Sequence, residues 1–208
     1  TRAGLYFTPI SYYLQPDEIE YIINNCHAKV LVVAEKFADK IKPLLGKLSE
    51  VKVCYMVDGE QQGFQSFEKA LSAQPTTPIA DESEGREMLY SSGTTGRPKG
   101  IKFPLSEGGL GEAPDIVRSV GLAQFMGVNH DTVSLSTSPL YHSAPLGFAT
   151  GCHRLGSTVV IMEKFDEENL KIDIGSDQTS LHNPWAGGYY PVGISFEDSN
   201  KMMAENPE

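Results

Sequence analysis

Short runs of apolar, largely β-branched residues alternate with amphipathic stretches over the first 162 residues of this 208-residue chain. That rhythm restricts the fold more than any other feature. Parallel strands need a crossover, usually a helix, and strands and helices in alternation build a mainly parallel sheet. Gly4 to Ile10 reads as the first strand. Pro16 then suits a first helical turn, Asp17 and Glu18 favour a helix N-terminus, and Ile19, Ile22, Ile23 and Cys26 form one apolar face. Val30 to Ala34 is a continuous apolar run, as expected of a strand covered on both faces. Glu35 to Leu48 reads as helical with an interruption at Pro43. A strand at Val51 to Val57 and a short helix within Gly63 to Ala73 follow, then a polar connector from Gln74 to Gly85. Beyond it, Glu87 to Tyr90 and Ile101 to Phe103 flank a glycine-rich turn as a hairpin. Helices are expected over Ala113 to Met126 and Ser143 to Leu155, and strands over Thr132 to Thr137 and Thr158 to Met162. The expected fold class is α/β, a partial, mainly parallel sheet with flanking helices.

The rhythm fails from about Lys171 onward, where Asn183-Pro184, Gly187-Gly188 and Tyr190-Pro191 make the text turn-rich. Residues 166–208 hold nine acids and two lysines, and so carry −7 of the net charge of −10. Two segments are therefore expected, a body over 1–170 and an irregular tail over 171–208. A chain this acidic repels phosphate backbones and anionic lipid, which disfavours nucleic-acid and membrane binding. No apolar run approaches the roughly 18 residues of a spanning helix, and no signal-peptide layout is present, so a cytoplasmic protein is expected. Cys26, Cys54 and Cys152 are too few and too scattered for a disulfide framework or a metal knuckle. They are expected to be reduced and mostly buried. The chain begins at Thr1 with a strand almost at once, the layout expected of a piece of something longer.

The stretch Tyr90 to Gly100, YSSGTTGRPKG, carries the most chemistry. Hydroxyls on Ser91, Ser92, Thr94 and Thr95 and glycines at 93, 96 and 100 make a turn whose backbone N–H groups can converge on anionic oxygens. Lys99 adds a full positive charge, and a polyphosphate matches several weak donors plus one cation. It is no Walker A loop, which would need Gly at position 98 and Ser or Thr at position 100. The plainer alternative is a solvated loop joining two strands.

This stretch resembles the signature loop of the AMP-forming acyl-CoA synthetases, within the wider adenylate-forming family. The resemblance runs from about Gly4 to Asn169. It includes GLYFTPISYYLQPDEIEYIINNCHAKVLVV before the loop and SPLYHSAPLGFATGCHRLGSTVVIMEKFD after it. It implies ATP-dependent activation of a carboxylic acid through an acyl-adenylate to a CoA thioester, with ATP, CoA and Mg²⁺ taking part. Ser91, Ser92, Gly93, Thr94, Thr95, Gly96, Arg97, Pro98 and Lys99 would form the ATP phosphate loop, with Ser91 a candidate Mg²⁺ ligand. Lys99 would bind and order the loop and would not be a general base. PLYHSAP, Pro139 to Pro145, is a second family match, placing Tyr141, His142, Leu146 and Phe148 by the acyl and adenylate pocket. Their apolar company points to a fatty or aromatic acid. The family's acidic Mg²⁺ residue, ribose-binding aspartate, hinge and C-terminal lysine have no counterpart before Glu208. ATP binding, more than turnover, is therefore the expectation.

Ile172 to Glu208 instead resembles an internal piece of urocanate hydratase, through GSDQTSLHNP followed by GGYYP. By that resemblance Gln178, Thr179, Ser180, Leu181, His182, Tyr189 and Tyr190 would line part of an NAD site. The competing reading is a turn-rich tail tied down by Trp185 and the tyrosines. Two families meeting near Leu170 imply a fusion or a chimaera of reading frames. Two alternative functions follow, a piece of an NAD-dependent lyase and an inert remnant. No oligomeric state is implied.

Overall fold

The computed structural model describes residues 2–91, 97–163 and 201. Backbone contacts divide the chain into two units, Thr1–Phe165 and Asp166–Glu208. All that follows concerns the first. The expected tail lies outside the described residues.

The first half of that unit is built around one helix. Helix α1, Pro16–Asn25, starts where Pro16 needs no hydrogen-bond acceptor, and the Glu18 carboxylate accepts the Gln15 N–H at 2.8 Å. Its stripe of Ile19 and Ile23 packs onto a sheet of β2 (Val30–Ala34), β3 (Val53–Val57) and β4 (Gln65–Ser66), parallel throughout. Met56 and Val33 of that sheet, with Ala38, Ile41, Leu44, Leu48 and Phe64, complete the core. The expected interrupted helix is a 3₁₀ turn at Glu35–Phe37, a single turn α2 at Ala38–Ile41, and a second 3₁₀ stretch at Lys42–Lys47 opened by Pro43. Helix α3, Phe67–Ser72, is capped by the Ser66 hydroxyl, which accepts the Lys69 N–H at 3.2 Å.

Two expectations need correction here. β2 is covered on one face only, since Val30 and Val32 are 51% and 48% exposed while Val33 is buried. The core lies on a single side of the sheet, so an unbroken apolar run does not show two-sided burial. The first strand, β1, spans only Tyr6–Phe7, because its partner β5 is just Arg86–Glu87.

In the second half, α4 (Pro114–Phe125) and α5 (Ser143–Arg154) pack on each other and beside the parallel pair β8 (Val133–Ser136) and β9 (Thr158–Ile161). Ala113, Ala123, Ala149, Cys152 and Ser157 are buried there. Gly151 lets α5 approach closely, for a Cβ there would stand 2.5 Å from the Ser119 carbonyl oxygen. Between the halves runs a hairpin of β6 (Leu89–Ser91) and β7 (Lys99–Ile101), the antiparallel pair among the described strands. Among the described residues the strand pairing is thus mainly parallel, as expected, but divided among four separate sheets. All three cysteines are free; Cys152 is fully buried, whereas Cys26 and Cys54 are only half-buried. Among the described residues no helix is long and apolar enough to cross a membrane.

Candidate nucleotide-binding site

The hairpin carries the two ends of the candidate phosphate turn. Its register pairs Leu89 with Ile101, Tyr90 with Gly100 and Ser91 with Lys99. Ser91 and Lys99 therefore stand opposite each other where the turn begins and ends, and both are exposed. Ser92, Gly93, Thr94, Thr95 and Gly96 lie outside the described residues. Pro98 is buried and Arg97 exposed. Among the described residues Lys99 has no carboxylate partner, so its charge is available to an anion.

Why the stem holds this shape follows from its packing. Tyr90 is half-buried, and its hydroxyl donates to Asn25 Oδ1 of α1 at 2.6 Å. Burial, with Cys26 and Tyr21 nearby, pushes the phenol up to about 12, so it remains a neutral donor. Across the ladder, a Cβ on Gly100 would meet Met88 Cε at 2.5 Å and Tyr90 Cζ at 2.9 Å. A side chain at position 100 would therefore have to displace the ends of Met88 and Tyr90. On the far arm the Arg97 guanidinium lies over the Tyr21 ring, 5.0 Å from its centroid.

The second set of residues sits at the start of α5. Tyr141 and His142 are adjacent rings, 4.5 Å apart and tilted by 51°. The His142 carbonyl accepts the Leu146 N–H at 3.2 Å and its imidazole is exposed; Leu146 and Phe148 are half-buried. The structure thus brings Ser91 to Lys99 and Tyr141 to His142, on two separate elements. Gln178, Thr179, Ser180, Leu181, His182, Tyr189 and Tyr190 lie outside the described residues.

As to Mg²⁺, Ser91 offers one neutral oxygen. Among the described residues no cluster of three or more His, Cys, Asp or Glu could hold a metal. Mg²⁺ is ordinarily held by carboxylates together with substrate phosphates. Ser91 thus fits as an added ligand to a phosphate-held ion and does not make a site alone. An indentation lined by Glu84, Gly85, Arg86, Ser106, Ala113 and Ile116 has room for about one water and none for a nucleotide.

Sequence reasoning missed Glu84. It is 3% exposed, its carboxylate pairs with Arg154 at the end of α5, and its other oxygen accepts the Gly111 N–H at 2.8 Å. Nothing in the run Asp81, Glu82, Glu84 marks which acid is buried. Tyr21 and Asn25 were also missed, although their i, i+4 spacing off the apolar stripe of α1 was visible.

Comparison with known proteins agrees with these features. The model of the family described as AMP-binding enzyme matches residues 1–175, and that of the urocanase Rossmann-like domain matches 148–208. The chain is 32% identical over 172 residues to an indoleacetate–CoA ligase of Aromatoleum aromaticum, covering 80% of this chain and 32% of that protein. Over 57 residues it is 46% identical to a urocanate hydratase of Homo sapiens, covering 25% of this chain and 8% of that protein. The fold superposes on an anthranilate CoA ligase, solved in complex with anthranoyl-AMP, with a TM-score of 0.59 and 26% identity over 77% of this chain and 30% of that one. The chain thus spans about a third of the CoA ligase's length and under a tenth of the hydratase's. With residues 1–175 matched by the family model, the chain belongs to the AMP-binding enzyme family.

Proposed function

We propose that residues 1–170 supply the phosphate-binding part of an AMP-forming acid:CoA ligase. In that reaction a carboxylate oxygen attacks the α-phosphorus of ATP and pyrophosphate leaves, giving an acyl-adenylate. The CoA thiolate then displaces AMP to form the thioester. The observation that carries the reading is YSSGTTGRPKG seated on an antiparallel stem with exposed Lys99 opposite Ser91. In this reading the Thr94 and Thr95 hydroxyls and the glycine amides of the loop cradle the β- and γ-phosphates, and Lys99 contributes charge without moving a proton. Mg²⁺, when bound with ATP, neutralises the phosphates. Tyr141, His142, Leu146 and Phe148 face the acyl group, and their ring and alkyl surfaces suit a fatty or aromatic acid.

Titration of the chain with Mg·ATP tests the reading. Saturable binding is expected, and Lys99→Ala should weaken it at least about tenfold, the scale of one lost charge-assisted contact. An unaltered chain that binds no Mg·ATP, or a Lys99→Ala variant that binds as well, overturns it.

A second reading is motivated by the urocanase match over 148–208, which overlaps the AMP-binding match over 148–175. In it, residues 171–208 derive from an NAD-dependent hydratase, with Gln178 to His182, Tyr189 and Tyr190 toward the dinucleotide. NAD⁺ binding lost in Tyr189→Ala supports it, and absence of NAD⁺ binding removes it. Failure of both titrations favours an inert remnant. Two overlapping matches to unrelated families also fit a fusion of reading frames. Amplification across residue 170 from source DNA decides that, because a single continuous product excludes an assembly error.

A further inference from the structure

Both arms of the phosphate turn are gripped by one face of one helix. Before the turn, Tyr90 donates to Asn25; after it, Arg97 stacks on Tyr21. Tyr21 and Asn25 are i and i+4 on α1, about 6 Å apart along the helix axis. Tyr90 lies in β6, and Arg97 stands two residues before β7 begins at Lys99. The two contacts are made together, four residues apart on one helix.

We propose that Tyr21 and Asn25 of α1 form a platform that fixes both ends of the phosphate turn, and are positioning residues for nucleotide binding. The inference rests on the nucleotide-binding reading above. Glycine adds backbone freedom that binding must restrict. The turn's amides converge on phosphate oxygens at low cost only if its ends are already placed. The stacking also assigns Arg97 a role distinct from that of Lys99. With its guanidinium on Tyr21, Arg97 anchors the exit of the turn, and of the two basic residues within Tyr90–Gly100 that leaves Lys99 for phosphate. Half-burial of Tyr90 under α1, with Cys26 and Tyr21 close by, is consistent with a stem pressed onto the helix.

A double-mutant cycle on Mg·ATP affinity separates an anchor from a phosphate ligand. Tyr21→Leu and Arg97→Gln should each weaken binding about two- to fivefold, the scale of an exposed cation–π contact. The double variant should be no weaker than either single one. Tyr21→Phe, which keeps the ring, should bind as the unaltered chain does. Without nucleotide, hydrogen exchange at the amides of 99–101 should quicken in Tyr21→Leu and in Arg97→Gln, and that at 89–91 in Asn25→Ala. Unchanged affinity and exchange in Tyr21→Leu and Arg97→Gln overturn the proposal. So does an Arg97→Gln loss that far exceeds and adds to that of Tyr21→Leu, for Arg97 would then be gripping phosphate directly. Should Tyr21→Leu fail to fold, Arg97→Gln, on an exposed residue, decides alone. If the unaltered chain binds no Mg·ATP, the nucleotide reading fails while the exchange measurement still decides the platform.

Discussion

Replacing Gly151 by Ala sets two effects of opposite sign against each other. In a helix interior, Gly to Ala stabilises by up to about 1 kcal/mol through backbone entropy. At position 151 the new methyl would stand 2.5 Å from the Ser119 carbonyl oxygen and 2.9 Å from its carbon. Those are backbone atoms of α4, which cannot rotate aside as a side chain can. The helices must part until 2.5 Å becomes at least 3.4 Å, the near limit of ordinary contact. That shift disturbs an interface holding Ala123, Ala149 and Cys152, all buried. Overpacking costs about 1–3 kcal/mol, and a clash with backbone that cannot rotate aside falls in the upper part of that range, so Gly151→Ala should be destabilising by about 1–2 kcal/mol after a propensity gain of up to about 1 kcal/mol. Two glycines of the same helix pair serve as controls. At Gly147 the nearest atom is Ser119 Oγ at 3.6 Å, and at Gly121 nothing lies within 4 Å. Ala at either should stabilise by up to about 1 kcal/mol. Urea unfolding followed by far-ultraviolet circular dichroism gives all three differences from midpoint shifts at unchanged slope. A Gly151→Ala protein as stable as the unaltered chain refutes the close helix contact, and loss at all three sites refutes the propensity argument.

Glu84→Ala should cost about 2–3 kcal/mol, because the Gly111 N–H and the largely buried Arg154 lose their acceptor. Glu84→Gln should cost less, and equal losses would show that the pairing matters little. Glu50, held by hydrogen bonds from His27 and Lys29, is depressed to about 2. Its folded-state value lies below its unfolded one, so its stabilisation is complete above the ordinary carboxylate range and fades as pH falls toward 2. Glu50→Gln should accordingly flatten the acid limb of a stability-against-pH curve between about 4.5 and 2, and an unchanged limb would contradict the pairing. Cys152, buried and with its thiol pushed up by desolvation, should react with a thiol reagent only on unfolding. Labelling of Cys152 in the native protein at the rate of the half-buried Cys26 would refute that burial.

Much of this protein is written locally. The stripe of Ile19, Ile22, Ile23 and Cys26 located α1 because helical periodicity depends only on neighbours along the chain. The hairpin was legible for the same reason, since Tyr90 to Gly100 holds turn-forming residues between two apolar ends. Family membership was legible too, because eleven consecutive residues carry it. Which faces are covered was not written there. Val30 and Val32 look as buried in the sequence as Val33 does, yet the core forms on one side of β2 and leaves them in water. Glu84 looks like its acidic neighbours until Arg154, seventy positions on, is folded against it. Gly100 and Gly151 look like ordinary flexible residues until Tyr90 and the backbone at Ser119 occupy the space their side chains would need. The grip of Tyr21 and Asn25 on the stem is of the same kind. Periodicity, capping and turn chemistry act over a few residues, and so can be read along the chain. Burial, close approach and the pairing of distant charges exist only once separate elements share a volume.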